Sequence, residues 1–315
     1  MKGPDFVGSA GSAGPRGELT SAGGRPGGGP SAPRPRLIVN ADDFGVSPGV
    51  NRAVITAFQK NRLDSASLVI NAAYAEEALA LARANPGLKV GLHLNLTAQM
   101  GQKPVASPGR VPLLADARGL LKHGFLGLLA LALRRPGELG PQVETEMRAQ
   151  IELALARGLK PAHLDSHRHV HLIPLLFETA LKLKRDYGLG RLRRVNESLP
   201  ATRAGAGLGR ALWNGGLVKY VVLKTCGRFH SEEESGVYFY SILHTTRLFG
   251  RNLSRVLVPP SYPEVEICFH PSLVEEDSKI DASGLAAYRL FSPDRGRELE
   301  ALLDPGLPDR VGYLR

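Results

Sequence analysis

The chain has 315 residues, of which 43% are hydrophobic and 22% charged, and its formal net charge is +10. This composition is typical of a globular protein with one large core. The two cysteines, Cys226 and Cys268, form no CxxC pair, which argues against a disulfide scaffold and indicates a reducing compartment. We therefore expect a cytoplasmic protein. We interpret the positive charge as a solubilising surface, with contact to an anionic membrane or to nucleic acid as the alternative. No nucleic-acid-binding motif is present, so we expect no nucleic-acid partner.

Residues 1–35 differ from the rest of the chain. They are rich in Gly, Ala, Ser and Pro and have no apolar period, so we predict a disordered tail. The tail lacks the apolar segment of a secretory signal. The remainder, 36–315, is predicted to form a single domain.

Strand and helix patterns alternate through the first half of this domain. A short apolar run at 37–39 predicts a buried strand, and Ser47-Pro48 predicts the start of a helix. The next predicted elements are a strand at 65–71, a helix at 75–87, a strand at 88–96, an irregular region at 97–119, and helices near 120–134 and 141–158.

The alternation continues in the second half, with one gap. The predicted elements are a strand at 161–166, a helix from 173 to 188, a strand at 191–198, a helix at 251–258, a strand at 264–272 and a helix near 295–303. The rest of 201–260 shows no clear pattern. Alternating strands and helices predict an α/β fold with mostly parallel strands.

The most apolar segment is GFLGLLALAL, at 124–133. It is too short to span a bilayer, which takes about 20 residues, and basic residues flank it. We predict a buried or interfacial helix there and no transmembrane segment.

Acidic and imidazole side chains lie at the ends of several predicted strands. Asp42 and Asp43 follow the first strand, His93 lies in the third, and Asp165 and His270 lie near the ends of later ones. Active sites of parallel α/β folds collect at the carboxyl ends of strands. Each residue alone has a structural alternative, such as a helix cap for the aspartates or a core position for His93. Their convergence favours a site.

The segment HLDSHRHVH, His163 to His171, holds four of the nine histidines. His163, Asp165, His167, His169 and His171 are two residues apart, so they share a face wherever the backbone is extended. One carboxylate and two imidazoles would leave open positions on a divalent metal. A second carboxylate could take a proton from water. Asp42 and Asp43 suit these two roles, one as metal ligand and the other as proton acceptor, because adjacent residues of an extended strand point apart.

The pieces LIVNADDFG, SASLVIN, VGLHLNL, PAHLDSHRHVH and EICFHP resemble the YdjC-like carbohydrate deacetylases, which are related to chitooligosaccharide deacetylases. The resemblance covers residues from about 37 to 273. Features around 236–271 are most similar to the branch associated with hopanoid biosynthesis.

This resemblance implies a distorted, TIM-like (β/α) barrel and hydrolysis of an N-acetyl group from an acetylated amino sugar. It implies Asp43, His93 and His167 as metal ligands, Asp42 as general base and His270 as general acid, although the two aspartates could exchange roles. Asp165, His169, His171 and Arg168 are implied as residues behind the ligands or facing substrate. The family's metal is usually magnesium, whereas an Asp-His-His set suits zinc at least as well.

Two other interpretations remain open at this point. One is a metal-dependent hydrolase of another amide or a phosphoester, and the other is a non-catalytic sugar- or lipid-binding module. A lipid-linked substrate, peripheral membrane contact and a homodimer are further hypotheses.

Overall fold

The computed structural model describes residues 34–98, 101–206, 216–229, 236–278 and 292–314. Its strands are β1 Arg36–Phe44, β2 Ser65–Leu68, β3 Lys89–Leu94, β4 His163–Ser166, β5 Arg191–Leu192, β6 Val237–Tyr240, β7 Val256–Val258, β8 Glu264–Phe269 and β9 Val311–Tyr313. Its helices are α1 Pro48–Gln59, α2 Ala75–Ala84, α3 Phe125–Arg134, α4 Pro136–Ala156, α5 Pro174–Asp186, α6 Leu199–Gly205, α7 Gly216–Gly227, α8 Val274–Asp277 and α9 Pro293–Leu303.

Seven strands form one parallel sheet in the order β5-β4-β3-β2-β1-β8-β6. The two edge strands, β5 and β6, are connected by a side chain. Asn196, just after β5, donates to Val237 O at 3.0 Å and accepts from Phe239 N at 2.7 Å. The curled sheet is therefore a distorted barrel, and the predicted α/β class is confirmed. β7 and β9 form a separate parallel pair.

The first helix begins where the sequence indicates. Ser47 Oγ accepts from Val50 N at 3.2 Å and Pro48 occupies the first turn. Val50, Val54 and Phe58 are buried against the sheet, because they recur on one helical face. This packing fixes the turn after β1, and hence the direction in which the end of β1 points.

The second half differs from the sequence prediction at several elements. The strand predicted at 191–198 is only Arg191–Leu192, and α8 and β9 have no counterpart in the prediction. The helix predicted at 251–258 is wrong: Gly250–Leu253 forms a single 3-10 turn, and Val256–Val258 is strand β7. The three apolar residues of β7 are buried, so pairing with β9 and packing outweigh the local helical spacing. The region without a clear pattern also contains α6, α7 and β6. Residues 1–33 of the predicted tail lie outside the described residues.

Helix α3 lies at the predicted apolar segment, and within it only Leu128 is buried. None of the helices in the described ranges is long and apolar enough to cross a bilayer. Residues 34–315 form one unit.

Strands β4 and β5 approach closely just before their pairing begins. A Cβ added at Gly190 would lie 1.9 Å from Ala162 O, which is backbone and cannot move aside. We expect Gly190→Ala to lower the free energy of unfolding by about 1–3 kcal/mol, measured by urea denaturation. Gly137→Ala in α4, where a Cβ meets nothing within 4 Å, is the control and should not destabilise. Equal stabilities of the two variants would contradict the close approach.

Candidate metal centre

The carboxyl ends of the parallel strands place the predicted side chains together. Asp42 and Asp43 end β1, His93 lies near the end of β3, His167 follows β4 directly, and His270 follows β8 directly. The side chains at the ends of β1, β3 and β4 are at most 5% exposed; they are Asp42, Asp43, His93 and His167. The chain thus brings together residues up to 228 positions apart on one rim of the barrel.

Asp43, His93 and His167 offer three ligand atoms that lie within 4.8 Å of one another. Asp43 Oδ1 is 3.2 Å from His167 Nδ1 and 3.8 Å from His93 Nε2. Ligands bound at about 2.1 Å to one ion lie about 3.0–3.4 Å apart. Asp43 Oδ1 is also buried without a hydrogen bond of good geometry. Asp43 and His167 already have this spacing, and a small inward movement of the His93 nitrogen, now at 3.8 Å, would let all three donors hold a divalent ion.

A bulge in β1 explains how two adjacent aspartates reach the same site. The register between β1 and β2 shifts between Ala41 and Phe44, and Asp43 has φ 71°. Adjacent residues of a regular strand point to opposite faces, whereas a bulge redirects one of them. His93 Nε2 consequently faces both carboxylates, at 4.0 Å from Asp42 Oδ2 and 3.8 Å from Asp43 Oδ1. The expectation that the two side chains point apart is wrong here.

The second nitrogen of His93 is held by Asp165. His93 Nδ1 lies 2.7 Å from Asp165 Oδ1, the arrangement that orients a metal-binding imidazole. Burial disfavours charge on His93, but Asp165, Asp42 and Asp43 together raise its pKa to about 9. In the metal-free protein His93 is therefore protonated at neutral pH.

Arg193 lies beneath the site and is 0% exposed. It donates to both oxygens of Asp42, at 2.9 and 3.0 Å, and its Nη1 is 2.6 Å from Asp165 Oδ2. Its Nε also donates to Glu266 Oε1 at 2.8 Å. Burial alone would raise the pKa of Asp42, but Arg193 with the nearby imidazoles holds it well below its ordinary value. Asp42 is consequently ionised.

The sequence analysis missed Arg193. The signal was present, since RLRRVNES was predicted as a strand and places Arg191 and Arg193 on one face of it. Both arginines contact Glu266, which lies in β8. Charges alternating within a buried strand indicate partners inside the barrel, because a lone buried charge is too costly.

Two other groups of potential ligands also occur among the described residues. They are Asp42 with Cys268 and His270, and Asp42 with His93 and Asp165. Both include Asp42, whose two oxygens already accept from Arg193. Burial raises the pKa of the Cys268 thiol well above its usual range, so this sulfur stays protonated. A cation is therefore better accommodated by the group that contains Asp43.

Asp43 has a second partner that the sequence analysis missed. Arg295 in α9 donates from Nη2 to Asp43 Oδ2 at 2.9 Å and is 2% exposed. Burial opposes the charge of Asp43, but His167 and Arg295 hold its pKa well below the usual range. One oxygen of Asp43 thus contacts Arg295, while the other faces the two imidazoles.

His270 lies on the far side of Asp42. Its Nε2 is 4.0 Å from Asp42 Oδ2, and its Nδ1 is 3.8 Å from Glu298 Oε2. Burial lowers the pKa of His270 to about 4 despite Asp43 and Asp42, so the ring is neutral at pH 7. Burial raises the pKa of Glu298 to about 7. Two groups that can exchange a proton therefore lie side by side.

The other histidines of HLDSHRHVH have different surroundings. The extended backbone ends at Ser166, and Arg168 and His169 have φ 56°. His171 contacts Ser166 Oγ at 2.6 Å and Arg193 O at 2.9 Å, so both its ring nitrogens have protein partners. His169 is buried with its ring 5.6 Å from that of Phe239. Arg168 is exposed at the rim.

Lys219 of α7 is a cation near the site that the sequence analysis did not single out. Among the residues described, Thr245 Oγ1 at 3.0 Å is its one hydrogen-bond acceptor. Burial, with the charge of Arg168, lowers its pKa to about 8. Its charge acts in turn on His169 and His270. The ammonium therefore retains donors that substrate oxygens could accept from.

Two curated relatives cover most of this chain. A carbohydrate deacetylase of Brevibacillus brevis is 34% identical over 245 residues, which are 76% of this chain and 83% of that protein. A chitooligosaccharide deacetylase of Escherichia fergusonii is 30% identical over 281 residues, 85% of this chain and 98% of the relative.

A solved structure has the same fold. The crystal structure of an Enterococcus faecalis protein superimposes with a TM-score of 0.61 at 26% identity, over 88% of this chain and 94% of that one. The profile of the family described as YdjC-like protein matches residues 36–311, nearly the whole folded part. The predicted resemblance to the YdjC-like family is confirmed, and the chain belongs to this family; the narrower similarity to the hopanoid-associated branch stays a prediction.

Proposed function

We propose that the chain is a metal-dependent deacetylase that removes the N-acetyl group of an acetylated amino sugar. The observation that carries the proposal is the approach of His167 Nδ1 and His93 Nε2 to the buried Asp43 Oδ1, at 3.2 and 3.8 Å. The names of the relatives, carbohydrate deacetylase and chitooligosaccharide deacetylase, support the reaction and the substrate class.

Asp43, His93 and His167 would hold the ion. A divalent ion there would polarise the acetyl carbonyl and lower the pKa of the attacking water. Two imidazole nitrogens and one carboxylate favour zinc over magnesium, which prefers oxygen ligands. Asp165 would fix the ring of His93 through its Nδ1.

Asp42 is the proposed general base. It is ionised, it lies 4.0 Å from His93 Nε2, and Arg193 fixes its orientation. The contacts favour Asp43 as ligand and Asp42 as base over the reverse assignment. Asp43 lies nearer both imidazoles, and Arg193 binds the two oxygens of Asp42 but not those of Asp43. Asp42 would accept the proton of the attacking water at Oδ2, the oxygen that faces the imidazoles.

His270 is the proposed donor to the leaving amine. Because the ring is neutral at pH 7, it must first receive a proton. Asp42 Oδ2 at 4.0 Å is a suitable source through one water, and Glu298 lies on the other side at 3.8 Å. The products would be acetate and a free amino sugar. A lipid-linked form of the substrate and a homodimer stay predictions.

Acetate release from N-acetylated chito-oligosaccharides, with and without chelator, tests the reaction. We expect Asp43→Asn to lower kcat/KM at least about a hundredfold, because it removes a charged ligand. Asp165→Asn should weaken metal affinity about 10–100-fold, because it frees the His93 ring. The exposed Asp309→Asn is the control.

The remaining outcomes separate the alternatives. Metal binding without acetate release would favour hydrolysis of another amide or a phosphoester. Neither metal binding nor acetate release would favour a sugar- or lipid-binding module.

Metal affinity should depend on pH because the ion competes with a proton on His93. Since the pKa of His93 is about 9 in the metal-free protein, affinity should rise about tenfold per pH unit between pH 6 and 8 and level off above 9. Competition titration with a chromogenic chelator measures this slope. In the Asp165→Asn variant His93 loses a neighbouring carboxylate, so its pKa should fall. The metal affinity of this variant should therefore stop rising at a lower pH than that of the wild type. An affinity independent of pH would refute this account.

Removal of Arg193 should destabilise the fold, because Asp42 and Asp165 would be left buried without this cation and Glu266 would keep only Arg191. We expect Arg193→Met to lower the free energy of unfolding by about 3–5 kcal/mol in urea. Arg203→Met in α6 is the control, because that side chain is exposed and its replacement should cost less than about 1 kcal/mol. Similar losses in both variants would contradict the central role of Arg193.

A further inference from the structure

Helix α3 is apolar on nearly every side but lies on the surface. FLGLLALAL precedes Arg134, and Leu128 is the single buried residue of the helix. Leu126 is 69% exposed and Leu133 75%. These two leucines are seven positions apart, so they share one face. A helix apolar all round is expected inside a protein or a membrane, and packing against the residues that the structure describes does not account for this exposure.

Helix α7 also exposes apolar side chains. Val218 is 68% exposed, Val221 is 53% exposed, and Phe229 just after the helix is 68% exposed. Both α3 and α7 contact the segment His167–Leu172, which carries a proposed metal ligand. The two exposed apolar faces therefore belong to helices that flank the candidate metal centre.

The charges beside these faces are positive. Neither 121–135 nor 216–229 contains an acidic residue. Lys122 and Arg134 flank α3, whereas Arg135 is paired with Glu138. Three glutamates at 232–234 follow α7 in the sequence but lie outside the described residues. The described part of both helices thus combines apolar and basic side chains.

A groove beside α7 is lined by basic side chains. It has a volume of about 640 Å³, and its lining includes Arg194, Lys224 and Arg228 with Tyr220 and Asn196, but no acidic residue. Val221 also lines it. Guanidinium and ammonium groups of this kind bind phosphate oxygens. An apolar face next to a basic groove matches the acyl boundary and the headgroups of a lipid layer.

We propose that α3 and α7 form a docking surface for an anionic lipid bilayer. Leu126, Leu133, Val218 and Val221 would enter the acyl boundary, and the groove would hold headgroup phosphates. The candidate metal centre would then be at the membrane, while the chain stays peripheral. The surface does not depend on the reaction proposed above.

Co-sedimentation with vesicles tests the surface. The wild-type chain should bind vesicles that contain phosphatidylglycerol, bind pure phosphatidylcholine at least about tenfold more weakly, and lose binding as salt rises. Leu126→Ser combined with Leu133→Ser should weaken binding at least about tenfold. Arg134→Glu with Arg228→Glu should do the same through charge. Leu155→Ser, at a residue 37% exposed on α4, is the control and should bind as wild type.

The serine variants replace exposed side chains, so urea unfolding should show an unchanged fold. Their acetate release from soluble chito-oligosaccharides should equal that of wild type, which separates docking from catalysis. Absence of binding to anionic vesicles, or equal loss in Leu155→Ser, would overturn the proposal. A third result would also overturn it: the wild-type chain is a dimer that does not bind vesicles, and the Leu126→Ser, Leu133→Ser variant is a monomer. The two leucines would then pack against a second copy of the chain and not against a bilayer.

Discussion

The contacts of Arg193 set the arrangement of the whole centre. A guanidinium with no solvent exposure is stable only if carboxylates surround it, and here Asp42, Asp165 and Glu266 do so. These acids come from β1, β4 and β8, while Arg193 itself follows β5. One cation thus ties four strands together. It also holds Asp42 ionised and keeps Asp165 in place against His93, so the packing of the barrel and the chemistry of the site depend on the same group.

The centre places its negative charges in two layers with different partners. Arg193 compensates the lower layer, Asp42 and Asp165, whereas Arg295 contacts one oxygen of Asp43 and leaves the other facing His93 and His167. The bulge at Asp43 makes this separation possible, since a regular strand would turn one aspartate away. The high pKa of His93 follows from the same concentration of carboxylates.

Much of the fold could be predicted because apolar runs and helical periods alternate clearly from β1 to α5. The acids and imidazoles at strand ends could be identified for the same reason, since parallel strands point their carboxyl ends to one rim. The pattern RLRRVNES indicated buried partners for Arg193 but could not name them, and Arg295 had no such signal, because the partners of the two arginines lie 151 and 252 positions away. The helix predicted at 251–258 failed because Val256–Val258 gains more from pairing with β9 than from helical spacing. The bulge at Asp43 leaves no signal in the residue pattern.

The order of strands has a consequence for how the protein is made. β8 lies between β1 and β6, and α9 supplies Arg295 and Glu298, so two walls of the centre come from the last fifth of the chain. During synthesis on the ribosome, β1 exposes one edge until β8 has emerged. Asp42 pairs with Arg193, 151 residues later in the chain, and Asp43 pairs with Arg295, 252 residues later. Both carboxylates therefore lack these partners until the arginines have been synthesised. A nascent chain halted before α9 would therefore have most of the sheet but would lack Arg295 and Glu298, so its centre would be incomplete.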